Sequence, residues 1–178
     1  MPRYLLSILF LLLTGAAAAS GGGTYQTAEE FLDLAFSGHP PEPGVIWMTG
    51  KHKQAVEGIL GHSYPTLRIR YWRRERRSAW ILEEIGKEQP ITTGIVVDDG
   101  HIENIKVLVF RESRGWEIRH SFFTDQFKSA TLDADRQLDR NIDGISGATL
   151  SVRAMKKLAR LALYLDAATQ ERDVSPAP

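Results

Sequence analysis

The chain contains no cysteine. That absence excludes disulfides, thiolate metal sites, thiol nucleophiles and a lipoprotein attachment cysteine, so the fold must rest on its core alone. Net charge is absent too. The 22 Lys and Arg residues balance the 22 Asp and Glu residues, which leaves no general attraction to nucleic acid or to an anionic membrane. The apolar stretch over residues 4–19 is diluted by alanine and glycine and falls short of the ~20 residues that span a bilayer. No internal repeat is visible, and low complexity is confined to the leader and the Pro/Ala-rich tail. Histidines at positions 39, 52, 62, 101 and 120 lack the spacing of metal ligands. No Ser-His-Asp grouping points to hydrolysis.

What is present begins with a leader. Arg3 supplies a positive n-region, residues 4–14 an apolar h-region, and Ala17-Ala18-Ala19 a small-residue cleavage pattern before Ser20. Cleavage there is the expectation; an uncleaved anchor is the alternative. Residues 1–19 are thus assigned as signal peptide and 20–65 as an N-terminal helical extension of a single domain. Residues 66–168 form its main body and 169–178 a flexible tail.

Local patterns predict an α+β fold. Ser20-Gly21-Gly22-Gly23 reads as a flexible start. Thr27-Ala28-Glu29-Glu30 has the form of a capping box, followed by apolar Phe31, Leu32, Leu34 and Ala35 and a stop near Gly38. Pro40-Pro41-Glu42-Pro43-Gly44 reads as a break, and a second helix is expected from Lys51 to Leu60, ending at Gly61. Leu67, Ile69 and Tyr71 alternate with Arg68, Arg70 and Trp72 as in a half-buried strand. Strands are expected at 78–85, 91–97 and 102–110, with Asp98-Asp99-Gly100 as a hairpin turn. A further strand is expected at 116–122. Four or five strands on short turns imply a mostly antiparallel sheet. Met155, Leu158, Leu161, Ala162 and Leu165 share one face of a last helix that ends near Ala167.

The segment before that helix, Asp143-Gly144-Ile145-Ser146-Gly147-Ala148-Thr149, carries the chemistry. A threonine hydroxyl at a helix N-terminus sits beside unpaired N–H groups and the positive end of the helix dipole, which favour a phosphate. The same residue also reads as an ordinary N-cap. Asp139, Asn141, Asp143 and Gly144 match the first half of a calcium loop, but Leu150 stands at the twelfth position, where a bidentate Glu is required.

The pattern Asp143, Ser146, Gly147, Ala148, Thr149, followed by Leu150 and Ser151, resembles the attachment site of the FMN-binding domain family. That family includes the covalent-FMN subunits of the sodium-pumping NADH:quinone reductase and of the Rnf complex. The resemblance extends over residues 85–165, through Gly100, Glu112-Ser113-Arg114-Gly115 and Phe123-Thr124-Asp125-Gln126-Phe127. Ser113 and Arg114 stand where the family has Thr and Pro, Ser129 where Gly is common, and Val152 where Ser is frequent.

The resemblance implies covalent FMN, esterified through its phosphate to Thr149 by a flavin transferase that uses FAD and magnesium. The N–H groups of Leu150, Ser151 and Val152 would bind the phosphate. Gly147 and Ala148 would leave room for the ribityl chain and the transferase, and Asp143 would hold the loop or be read by the transferase. Glu112 and Ser113 would lie near the flavin, or Glu112 would be a solvated turn residue. Trp116 and Phe127 could stack on the flavin, but aromatic residues in such a sheet are more often core. No catalytic residue and no metal ligand is assigned.

Arg68, Arg70, Arg73, Arg74, Arg76 and Arg77 form the one marked charge cluster. It reads as the solvated face and turn of a hairpin, or as a dock for an acidic redox partner or anionic headgroups. The expectation is an exported, periplasmic electron relay that exchanges electrons with membrane or periplasmic carriers. A flavin-dependent reductase and a non-redox binding or sensory module, with calcium near Asp139 to Asp143, are the rivals.

Overall fold

The alternating segments assemble into one six-stranded antiparallel sheet in a computed structural model that describes residues 23–174. The signal-peptide reading for residues 1–19 lies outside those residues. In chain order the elements are β1 (Gly23–Thr24), α1 (Ala28–Ala35), β2 (Pro43–Trp47), α2 (Gly50–Leu60), β3 (Arg68–Arg74), β4 (Arg77–Ile85), β5 (Pro90–Asp98) and β6 (His101–Phe110). A short helix α3 (Ser121–Thr124) and the long α4 (Thr149–Val174) complete the fold. The strands lie in the order β1-β6-β5-β4-β3-β2, so α+β is the observed class.

Turn and cap chemistry account for the boundaries. Thr27 caps α1 reciprocally: the Glu30 N–H donates to Thr27 Oγ1 at 3.1 Å and the Thr27 N–H to Glu30 Oε2 at 2.8 Å. Gly61 ends α2 in the left-handed conformation. Asp99 and Gly100 both have positive φ, at 51° and 76°, as a two-residue turn between twisted strands requires.

Helices cover both faces of the sheet. Phe31, Leu32, Ala35 and Phe36 of α1 and its end pack on Ala79, Val96 and Leu108. The larger core lies on the other face, where Met155, Leu158, Ala162 and Leu165 of α4 meet Trp80, Leu82, Ile95 and Ile105. β5 is accordingly buried on both sides. Lys157 of α4 bonds Glu84, and Asp166 bonds Ser78. The helix therefore runs antiparallel to β4, and its N-terminus lies beyond the β4–β5 turn.

Several expectations are corrected. Trp116–Arg119 is a 3₁₀ turn that leads into α3, not a strand. Phe123 and Phe127, four apart, turn into the core with ring centroids 5.4 Å apart, a helical rather than an alternating spacing. The break at residues 40–44 ends in β2, which starts at Pro43. Proline is tolerated there because β2 is an edge strand. Gly23 is not loose but pairs with Phe110 on β6. Residues 20–65 thus contribute two strands as well as two helices.

Leu67 is exposed, outside the strand face that buries Ile69. The last helix continues past Ala167 to Val174, and Thr169, expected in a flexible tail, is fully buried. Nor is the 73–77 arginine stretch a solvated turn throughout. Arg73 Nη2 reaches Asp166 Oδ1 at 2.6 Å and Thr169 Oγ1 at 2.7 Å beneath α4. Arg74 bonds the His39 carbonyl, Arg76 pairs with Asp99, and Arg77 pairs with Glu103.

Candidate functional site

Loops from three places converge at the end of the sheet where α4 begins. The turn at residues 86–89 is held by Glu112, whose Oε1 accepts the backbone N–H groups of Lys87, Glu88 and Gln89 at 2.6, 2.7 and 2.9 Å. Burial acts to raise the Glu112 carboxyl, but these donors outweigh it and hold the group below its ordinary value. Glu112 is thus buried and committed to the β4–β5 turn rather than solvated. Ser113 and Arg114 project into solvent beside it.

Gly115 carries the loop against the start of α4. Its φ is 89°, and a Cβ there would lie 2.6 Å from Ser151 Oγ and 3.4 Å from Ala148 Cβ. Glycine is required on both counts, conformational and spatial. Ser151 and Ala148 are correspondingly buried. Ala148 is thus packed against the Gly115 loop.

The motif itself is a tight turn. The Ala148 N–H donates to the Ile145 carbonyl at 3.0 Å, with Gly147 at the third turn position and φ of 81°. A Cβ on Gly147 would meet nothing within 4 Å, so the backbone conformation, not crowding, calls for glycine. Ser146 is exposed on this turn. Ile142 is buried and anchors the loop from below. The Asp143 N–H donates to Gln126 Oε1 at 2.7 Å, and Asp143 Oδ1 accepts from Asn141 Nδ2 at 3.2 Å.

Thr149 follows as the first residue of α4, not as its N-cap. Ala148 occupies the capping position, and its carbonyl accepts the Val152 N–H at 2.9 Å. An alanine has no side chain with which to cap. Among the described residues, the N–H groups of Thr149, Leu150 and Ser151 and the Thr149 hydroxyl have no protein partner. The free N–H set is therefore shifted by one residue from the expected Leu150, Ser151 and Val152. Thr149 and Leu150 are exposed. An uncapped helix start beside a free, exposed hydroxyl has the donors and the dipole to hold a phosphate ester.

Of the aromatic residues, Phe127 is fully buried and unable to stack on a ligand. Trp116, next to Gly115, is half-buried, with Arg119 5.1 Å from its ring centroid. The calcium half-loop is otherwise engaged: Asp139 Oδ1 accepts from Arg140 Nε at 3.0 Å and from the Thr131 N–H at 3.2 Å. Arg140 chiefly, with the Thr131 N–H against the opposing effect of burial, holds the Asp139 carboxyl down to about 2. Among the described residues, no group of three or more His, Asp or Glu side chains is placed to hold a metal ion.

Two features escaped sequence reasoning. Gln126 was visible only as part of an aromatic-Gln-Phe segment, and its bond to the Asp143 backbone is a tertiary contact. The buried Glu84 carboxylate binds His62 Nε2 at 2.9 Å and Lys157 Nζ at 2.8 Å. These residues come from three separate places in the chain, and no spacing links them.

Residues 86–164 match the family model of the FMN-binding domain. No curated protein and no solved structure matches the chain. The matched segment starts at the β4–β5 turn and includes the Glu112 loop, the Gly147 turn and most of α4. Over these residues the chain is similar to the FMN-binding domain family.

Proposed function

We propose that this chain is an exported flavoprotein that carries FMN as a phosphoester on Thr149 and relays electrons on the periplasmic side of the membrane. The observation that carries the reading is the Thr149 hydroxyl, exposed and unpartnered at an uncapped helix N-terminus within the FMN-binding segment. FMN bound there supplies one- and two-electron transfer, while the protein tethers and tunes it. The leader pattern supports export, and a covalent tether suits a compartment in which lost FMN is not readily resupplied.

The chain's own residues prepare the acceptor. The Gly147 turn projects Thr149, and Gly115 against Ser151 locks the helix start beneath it. Gln126 and Ile142 fix the loop that leads in. In the esterification, Thr149 Oγ forms a bond to the FMN-side phosphorus of FAD while the pyrophosphate P–O bond breaks. AMP leaves, the hydroxyl proton is released, and no electrons are exchanged. The remaining phosphodiester charge would face the N–H groups of Thr149, Leu150 and Ser151. Trp116 offers a half-exposed aromatic surface next to this point.

The test is co-expression of the exported chain with a flavin transferase, followed by a denaturing gel. A fluorescent band that survives denaturation is expected from the wild type and none from Thr149→Ala. A colourless wild type of unmodified mass overturns the reading.

A further inference from the structure

The exposed face of α4 below Thr149 is basic. Residues 149, 153, 156 and 160 follow at helical spacing on one face. Thr149 thus heads a stripe formed by Arg153, Lys156 and Arg160. The stripe borders a groove of about 400 Å³ that Arg140 flanks from the loop before the motif. Ile59 and Ile142 contribute its apolar lining.

The charges in this groove are unevenly compensated. Arg140 is paired with Asp139, and Lys157 with Glu84. Arg160 hydrogen-bonds only carbonyl oxygens, of Arg136 at 2.6 Å and Ile59 at 3.5 Å, with Asp133 as the carboxylate whose field it senses. Arg153 and Lys156 have no protein partner among the described residues. In a chain with no net charge, this is a local concentration of positive potential, not a general basicity.

We infer that this groove is the docking surface for an acidic face of the flavin transferase that esterifies Thr149. The inference rests on the proposed function. Any enzyme that reaches the Thr149 hydroxyl must also cover its neighbours on the same helix face. Arg153 and Lys156 lie only ~6 and ~10 Å along the axis from Thr149 at 1.5 Å per residue. Free cations at that range complement an acidic partner and act mainly on the encounter rate.

The experiment uses purified, flavin-free exported chain with transferase, FAD and magnesium. The initial rate of gel-stable fluorescence is followed at low and at high ionic strength. Arg153→Glu with Lys156→Glu is expected to lower kcat/KM about tenfold at low salt, mainly through KM, and to abolish the salt dependence seen in the wild type. The exposed pair Arg68→Glu with Arg70→Glu is expected to stay within about twofold. Thermal melting checks that both variants are folded.

Unchanged kcat/KM and salt dependence in the Arg153/Lys156 variant, with the wild type flavinylated, overturns the groove alone. So does a defect confined to the Arg68/Arg70 variant. Normal flavinylation with slowed electron exchange would give the groove to a redox partner instead. A wild type that never acquires flavin overturns the underlying reading as well.

Discussion

Gly115 is the residue on which the site's geometry turns. Its left-handed backbone, and the 2.6 Å that would separate Ser151 Oγ from any Cβ at this position, leave no room for alanine. Gly115→Ala is expected to cost about 1–3 kcal/mol through backbone strain and contact, measured as a lowered urea midpoint. Adding Ser151→Ala should recover the contact part and leave the strain. Glu112 offers a second check. Glu112→Ala strips the acceptor from the Lys87, Glu88 and Gln89 N–H groups and is expected to cost about 2–4 kcal/mol. Neither role was legible locally: a solvated turn Glu and a turn cap have the same sequence, and only the fold brings residue 112 to residues 86–89.

At the scale of elements, α4 joins the site to the core. Its apolar face was readable from spacing, because Met155, Leu158, Leu161 and Leu165 repeat at the helical period. Its length was not. Asp166 and Thr169 would normally end an apolar stripe, yet here they face Arg73 and Ser78 from β3 and β4. Burial raises the Asp166 carboxyl, with Ser78, Arg73 and Gln170 opposing. Asp166→Ala leaves Arg73 charged and buried without its partner. It is expected to destabilise the protein by about 3–5 kcal/mol, visible as a fall in melting temperature. Replacing both residues with apolar ones should restore most of that loss.

The whole molecule is bracketed by groups that titrate in opposite directions. The Asp139 carboxyl sits at about 2, below its ordinary 3.8, so its contribution is present above about pH 4 and lost as pH falls toward 2. His62 is raised above 6.5, first by its bond to the Ser63 carbonyl and then by Glu84. Its contribution is therefore complete below about pH 6.5 and lost as pH rises through the elevated folded value. Urea midpoints measured across pH should show Asp139→Asn flattening the acid limb and His62→Gln flattening the alkaline one. Unchanged limbs in either variant would refute the corresponding assignment. By itself, the sequence determined the capping box, the Asp99-Gly100 hairpin and the α+β class, and it singled out the segment at residues 143–149, since each depends on neighbours or on a short period. Only the tertiary structure decided the edge strands, the helical path of residues 116–127, the burial of Arg73 and the helix start at Thr149 with Ala148 as its N-cap. Those depend on which strand edges are free and which distant backbone groups need a partner, and no local spacing encodes either.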